Sequence, residues 1–338
     1  MVSLDPACGT LNDQFGRTAT YLRLSVTDRC DLRCTYCMAE NMTFLPRKDL
    51  LSLEELYRLA TIFIGHGVRK IRLTGGEPLV RKNVTSLFKN LSRHLETGEL
   101  DEVTLTTNGS LLAAYAGELV DCGVRRVNVS LDTLNADRYR TITRWGKIER
   151  VFAGLEAAKR AGLKVKLNAV AQKGVFETEL NDLIRFAHEK DMDLTLIEEM
   201  PLGGAAACRS RSFLSLAELR GRLETEWTLE PLSETTGGPA KYVRLKETGG
   251  KLGFITPMSC DFCADCNRIR LSCTGDLYTC MGHEGGLALR EPLRQSNGNE
   301  KVAQLIRQKV FDKPRGHAFQ INDTGVSGIV RSMSTLGG

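Results

Sequence analysis

Three cysteines fall within eight positions of "TDRCDLRCTYCM", residues 27 to 38: Cys30, Cys34 and Cys37, spaced C-x3-C-x2-C with no nearby fourth ligand. Structural zinc sites take four ligands in two pairs, so a trio suits a different task. Three thiolates can hold a four-iron, four-sulfur (4Fe-4S) cluster and leave one iron without a protein ligand. The amino and carboxylate groups of S-adenosylmethionine (SAM) can chelate that iron, and an electron from the cluster then breaks a sulfur–carbon bond to release a 5'-deoxyadenosyl radical. Such chemistry belongs to the cofactor, and the protein supplies placement and exclusion of water.

A second group lies in "PMSCDFCADCNRIRLSCTGDLYTCMGHE", with Cys260, Cys263, Cys266, Cys273 and Cys280. Spacing allows several ligand sets, among them a ferredoxin-like Cys260, Cys263, Cys266 trio and a zinc knuckle. Strand parity puts Cys266, Arg268 and Arg270 on one face and Ile269, Leu271 and Cys273 on the other, which makes Cys273 a core residue. A three-residue turn at Thr274-Gly275-Asp276 places Cys280 opposite Arg270, whereas a two-residue turn moves it to the other face.

Eleven cysteines in 338 residues, clustered and odd in number, argue against a secreted disulfide framework. The N-terminus lacks a basic start followed by an apolar run, and no stretch approaches the roughly 18 apolar residues of a membrane span. The expectation is a cytoplasmic protein with no membrane partner. The net charge of +5 is mild and aromatics make up 6%, so an anionic small molecule fits better than nucleic acid.

The elements that must position these residues alternate. Strand-like runs at 21–27, 70–76, 102–109, 126–132, 163–170 and 193–199 are separated by helix-length segments, of which "SLEELYRLATIFIGHG" and "VFAGLEAAKRAG" carry the clearest helical periodicity. Six βα units imply a parallel sheet. One strand parity is apolar (Leu22, Leu24, Ile71, Leu73, Val103, Leu105, Val127, Val129, Val165, Leu167, Leu194, Leu196). The other is polar (Arg23, Ser25, Lys70, Arg72, Thr74, Thr104, Thr106, Asn128, Ser130, Lys166, Asn168, Thr195). A closed eight-stranded barrel fills its interior with branched residues, so a basic lining points to a wider, incomplete barrel around an anionic ligand. An open sheet with one wet face is the plainer alternative. After about residue 215 the pattern changes to a helix and two hairpin-like stretches. The expected architecture is α/β: an incomplete (β/α)6 barrel over residues 1–214 and a smaller α+β iron–sulfur domain over 215–338.

"SVTDRCDLRCTYCM" followed by "LTGGEPLVRK" resembles the radical SAM superfamily, with the cysteine loop after the first strand and the Gly75-Gly76-Glu77-Pro78 turn after the second. An ordinary tight turn is the bland alternative for that GGEP stretch. Cys263-x2-Cys266-x13-Cys280, Arg268, Arg270 and the closing "TLGG" narrow the resemblance to the GTP 3',8-cyclase family, over essentially the full length from "FGRTATYLRLSVTDRC" to Gly338.

That resemblance implies a radical SAM lyase acting at the first step of molybdenum cofactor biosynthesis. Its deoxyadenosyl radical takes the ribose 3' hydrogen of GTP, and C3' then bonds guanine C8 to give (8S)-3',8-cyclo-7,8-dihydroguanosine 5'-triphosphate. It implies two 4Fe-4S clusters, one on Cys30, Cys34 and Cys37 and one on Cys263, Cys266 and Cys280, the latter's open iron facing the guanine. Cys8, Cys122, Cys208 and Cys260 are then plain thiols. Tyr36, Gly76, Ser130 and Met200 fall at SAM-contacting positions, and Arg23, Lys70, Arg72, Thr106, Lys166, Arg268 and Arg270 at GTP-contacting ones. Arg268 and Arg270 also take a catalytic role with Gly337 and Gly338, whose bare backbone would approach the site; deleting both glycines is expected to spare the clusters and remove cyclisation. Expected partners are an electron donor, a cyclic pyranopterin monophosphate synthase acting on the product, and a second copy in a homodimer.

One position departs from the family: "LTLIEEM" carries Thr195 where many members have an inward arginine, a change worth about 1.5–3 kcal/mol of binding unless compensated by, for example, Arg209 or Arg211. Two other functions fit parts of the pattern. A two-cluster radical SAM peptide maturase usually needs a peptide-docking domain, and only about 20 residues precede the first strand. A non-catalytic protein holding zinc at both cysteine groups would carry about two zincs and no iron.

Overall fold

The computed structural model describes residues 9–174, 176–202, 212–259, 262–295, 298–319, 331 and 333–336. All six expected strands form: β1 (Tyr21–Ser25), β2 (Lys70–Thr74), β3 (Glu102–Thr107), β4 (Arg126–Ser130), β5 (Lys164–Ala171) and β6 (Asp193–Glu198), each parallel to the next. The connecting helices include α1 (Leu53–Gly65), α2 (Val84–Glu96), α3 (Leu112–Asp121), α4 (Ala136–Thr143), α5 (Ile148–Arg160) and α6 (Phe176–Glu189). Helix α1 starts where its sequence says it should. Ser52 and Glu55 form a reciprocal capping box, and Leu56, Leu59, Ala60 and Phe63 turn its apolar face inward.

The C-terminal segment does not build a separate sheet. It contributes helix α7 (Leu216–Leu223) and strands β7 (Leu229–Leu232), β8 (Lys241–Leu245), β9 (Lys251–Ile255), β10 (Arg268–Leu271), β11 (Asp276–Tyr278) and β12 (Leu287–Ala288). Strand β9 pairs parallel with β6, and β10 pairs parallel with β1. The sheet order is β12-β11-β10-β1-β2-β3-β4-β5-β6-β9-β8-β7, so eight parallel strands are flanked by antiparallel hairpins on both sides. Sequence puts more than two hundred residues between β1 and β10 but far fewer between β6 and β9, and only the register shows that each end of the six-stranded core is extended by a later strand.

Strand parity holds throughout the core. The apolar set from Leu22 to Leu196 is buried under the helices. The polar set faces the opposite way, and most of it lines an interior cavity of about 310 Å³. Among the described residues no helix is long and apolar enough to cross a membrane.

Candidate active site

The first cysteine loop leaves β1 and is held by backbone-directed cations. Arg33 Nη1 donates to Cys30 O (2.7 Å) and Leu32 O (2.8 Å), and Arg144 Nη1 donates to Arg33 O (2.6 Å) and Met38 O (3.1 Å). The end of α4 and the segment after it close the loop from outside, with Arg33 N donating to Thr143 O and Trp145 Nε1 to Asp31 O. The GGEP turn packs directly on this loop. Gly76 N donates to Thr27 O (2.8 Å), Glu77 N donates to Arg29 O (2.8 Å), and a Cβ on Gly76 would sit 2.3 Å from Arg29 O. Only glycine allows that approach, so the turn is more than an ordinary tight bend.

Glu77 is fully buried beneath the loop. Burial pushes its carboxyl up to about 7, against the pull of hydrogen bonds from Asn108 N (2.6 Å), Leu79 N (3.1 Å) and Thr107 Oγ1 (2.8 Å). Tyr36 donates its hydroxyl to Asp132 Oδ2 (2.7 Å), and Val170 N donates to Asp132 Oδ1 (2.8 Å). Burial raises the Asp132 carboxyl to about 6 despite those bonds.

Cys30, Cys34 and Cys37 line the cavity on this side. Burial raises their thiols, Cys30 to about 12, Cys37 to about 11 and Cys34 well above the usual range. Their nearest donors are neutral, Leu32 N (3.4 Å) and Asn108 Nδ2 (3.7 Å), both on Cys30 Sγ. Such thiols give up their protons only on binding metal, and an iron–sulfur cluster would neutralise the three thiolates so formed. Among the described residues no three Cys, His, Asp or Glu donors are spaced to share one ion, whereas a cluster spreads its thiolates over several irons.

Cys263, Cys266 and Cys280 line the same cavity from the other side. The hairpin turn is Cys273-Thr274-Gly275, with Leu271 opposite Leu277 and Arg270 opposite Tyr278. That is a three-residue turn, one position earlier than the three-residue alternative that the sequence left open. The shift keeps parity, so Cys280 falls on the arginine side and not opposite Arg270. Cys273 is buried in the core, as its parity requires. Burial would raise the Cys266 thiol, but Arg268 and Lys313 beside it bring it down to about 7.

Between the two cysteine groups lies a floor of cations. Register aligns Arg270, Arg23 and Arg72 in one row across β10, β1 and β2, with Arg268 opposite Tyr21 and Tyr21 opposite Lys70 one row below. Lys166 completes the floor from β5 and donates to the Tyr242 hydroxyl (2.9 Å). Burial lowers Arg23 to about 10, and burial with neighbouring positive charge brings Arg270 and Lys166 well below their usual values. Burial works against ionisation of Tyr21, yet Arg72, Arg23, Lys70 and Arg268 around it outweigh that and pull its phenol down. Among the described residues Tyr21 Oη, Arg72 Nε, Thr74 Oγ1, Thr106 Oγ1 and Asn168 Oδ1 are buried without a hydrogen-bond partner. Such groups call for a polar, anionic ligand.

The chain matches the radical SAM superfamily model over residues 24–187 and the Molybdenum Cofactor Synthesis C model over residues 192–319. A GTP 3',8-cyclase of Mesorhizobium japonicum is 59% identical over 327 residues, 96% of this chain and 99% of that protein. Those of Brucella ovis and Nitrobacter winogradskyi are each 58% identical over 96% of this chain and 95% of theirs. The chain belongs to the GTP 3',8-cyclase family. Among solved structures, Streptococcus suis SuiB bound to S-adenosylmethionine aligns with a TM-score of 0.60 at 15% identity, covering 90% of this chain and 74% of SuiB. SuiB bound to its precursor peptide SuiA gives 0.61 at 14% identity, covering 89% and 72%. At such identity the likeness carries the fold alone. A peptide maturase is therefore not favoured for a chain so close in sequence to the cyclases.

Within that family frame the structure brings together most of the residues the sequence singled out. Tyr36, Gly76, Ser130, Met200, Arg23, Arg72, Thr106, Lys166, Arg268, Arg270 and the six cysteines all line one cavity. Lys70 is turned aside, its ammonium on Thr236 O (2.6 Å) and Glu102 Oε2 (2.5 Å). Gly337, Gly338, Arg209, Arg211, Cys8, Cys208 and Cys260 lie outside the described residues. Cys122 is a buried free thiol outside the cavity lining.

Thr195 sits in a crowded corner of the sheet. Thr195 pairs with Gly253, whose Cβ would lie 2.8 Å from Tyr242 Cε1 and 2.9 Å from Thr195 Oγ1. The Tyr242 ring thus lies across Gly253 on the side that Thr195 faces, and its hydroxyl accepts from Lys166. Sequence reading missed Tyr242, Asp132, Arg17 and Lys313. Asp132 continues the polar parity of β4 after Ser130 and could have been found that way. Arg17 and Lys313 carried no such signal, being single cations in loops.

Proposed function

We propose that this cavity binds GTP between two 4Fe-4S clusters and cyclises it, as the family's reaction requires. The chain is a radical SAM cyclase of molybdenum cofactor biosynthesis, with GTP as substrate. The observation that carries the site assignment is the row Arg270–Arg23–Arg72, with Lys166 beside it, lying between two cysteine groups in one cavity. Arginine forks suit a triphosphate, and burial strengthens each contact.

Cys30, Cys34 and Cys37 would hold the first cluster and Cys263, Cys266 and Cys280 the second. When bound, the first cluster with SAM supplies the 5'-deoxyadenosyl radical that takes the ribose 3' hydrogen. Gly76, Ser130 and Met200 line the SAM side, where Tyr36 is fixed by Asp132 to flank the adenine. Arg23, Arg72, Lys166, Arg268 and Arg270 grip the triphosphate with Thr106. Lys70 supports them from behind and reaches the ligand only by leaving Glu102. Arg268, Arg270, Gly337 and Gly338 act at the reacting end. Holding C3' and C8 in one geometry is the chain's catalytic contribution. Residues 1–214 would form the radical SAM part and 215–338 the auxiliary part, in a cytoplasmic enzyme, homodimeric, fed by an electron donor and followed by a cyclic pyranopterin monophosphate synthase.

The test is an anaerobic assay of cluster-loaded protein with SAM and a strong reductant, with and without GTP, read by mass spectrometry. GTP-dependent 5'-deoxyadenosine together with a cyclised triphosphate is expected. Deoxyadenosine formed equally without GTP, and no cyclised product, would overturn the substrate assignment.

A further inference from the structure

Helix α8 (Glu300–Phe311) ends beside the second cysteine group, and Lys313 follows it with its N–H on Val310 O (3.0 Å). Lys313 is 2% exposed. Its ammonium donates to Cys266 O (2.6 Å), Arg268 O (3.0 Å) and Cys266 Sγ (3.4 Å). Those three bonds use all three of its protons. Among the described residues no carboxylate pairs with it, although a buried ammonium is costly without a counter-anion. The anion within reach is the Cys266 sulfur.

Arg17 secures the same corner from the opposite terminus. Its guanidinium donates to Cys263 O (2.7 Å), Arg315 O (2.8 Å) and Pro314 O (2.6 Å), and Asp13 neutralises it at 2.6 Å. Two cations thus tie the Cys263–Cys266 loop to residues 313–315, but only Arg17 has a carboxylate. The first cysteine loop is built differently. Arg33 and Arg144 donate to carbonyls there, and the donors on Cys30 Sγ are neutral amides.

We propose that Lys313 is a positioning and potential-setting residue for the second cluster: two of its protons fix the Cys266–Arg268 backbone, and the third places a buried positive charge on the Cys266 thiolate. The inference rests on Cys263, Cys266 and Cys280 being cluster ligands. Reduction adds one negative charge to a cluster, and a cation hydrogen-bonded to a ligand sulfur favours the reduced form. Lys313 therefore makes the second cluster easier to reduce than its burial alone would allow.

The experiment uses the full chain with Cys30, Cys34 and Cys37 all changed to Ala, so that the second cluster is read alone. Iron content and a dye-mediated redox titration followed by electron paramagnetic resonance are measured with Lys313 intact and as Lys313→Arg, Lys313→Gln and Lys313→Met. Lys313→Arg is expected to keep the wild-type midpoint. Lys313→Gln and Lys313→Met are expected to shift the oxidised-to-reduced ratio at fixed potential about tenfold toward oxidised, about 59 mV for one electron. Loss of iron from both neutral variants, with retention in Lys313→Arg, also supports the charge requirement. An unchanged midpoint in either neutral variant, or loss of iron from all three including Lys313→Arg, overturns the proposal. If the background with Lys313 intact holds no iron, the ligand assignment fails and not the lysine.

Discussion

Arg23 stands in the middle of the cation row, with Arg72 on one neighbouring strand and Arg270 on the other. Neighbouring strands lie about 4.8 Å apart, so adjacent guanidiniums sit within several ångströms of each other. At roughly 6 Å and an effective dielectric of about 20, each like pair repels by about 3 kcal/mol. Arg23→Met keeps most of the stem and removes the charge. Without GTP the change relieves repulsion on both sides, and after the loss of the arginine's own contacts a net gain of about 1 kcal/mol, roughly 2 °C in melting temperature, is expected. With GTP the variant lacks one charged hydrogen-bonding partner, worth about 1.5–3 kcal/mol, or about tenfold to a hundredfold in affinity. Anaerobic calorimetry on cluster-loaded protein compares GTP with guanosine, which has no phosphates and loses little. Ligand-free melting is followed alongside. GTP affinity within about threefold of wild type, an equal loss for guanosine, or a melting temperature lowered by several degrees would refute the reading of this row as a triphosphate floor strained by its own charge.

Cys280→Ala is expected to halve the iron of the reconstituted protein, from about eight to about four per chain, whereas Cys273→Ala leaves it unchanged. Equal losses in both would show that the hairpin parity is misassigned. Gly76→Ala puts a methyl group 2.3 Å from Arg29 O, so the GGEP turn must lift off the first cysteine loop. SAM affinity should fall at least tenfold while the second cluster's iron remains, and wild-type SAM binding would contradict it. Asp132 ionises near 3.9 when unfolded and at about 6 in the fold, so the folded state binds more protons between those values. Its stabilising effect is complete below about pH 4 and is lost as pH rises through 6. Asp132→Asn should accordingly melt higher than wild type at pH 8, with the advantage gone near pH 4; an equal difference at both would rule out this titration.

Period-two alternation is why so much of the core was legible. A strand such as "YLRLS" must put Leu22 and Leu24 on one side and Arg23 on the other, whatever follows it in the chain. Six such strands determine a buried helical face and a polar interior before any coordinate is known, and the cysteine trio then falls at the carboxyl end of the first. Register between distant segments is another matter. Nothing local in "NRIRL" says that it will lie parallel to β1, or that "KLGFI" will lie parallel to β6, because a strand's own residues do not name the edge it pairs with. The consequence is functional as well as topological. Arg270 joins Arg23 and Arg72 in one row only through that long-range pairing, and Tyr242 reaches Lys166 only because β8 pairs with β9 on the far edge. The six core strands therefore supply most of the phosphate floor and the first cysteine loop. The later strands bring the second cysteine group to face it, and Lys313 shows the limit of pattern reading: a lone lysine after a helix becomes meaningful only when the fold puts a sulfur 3.4 Å from its nitrogen.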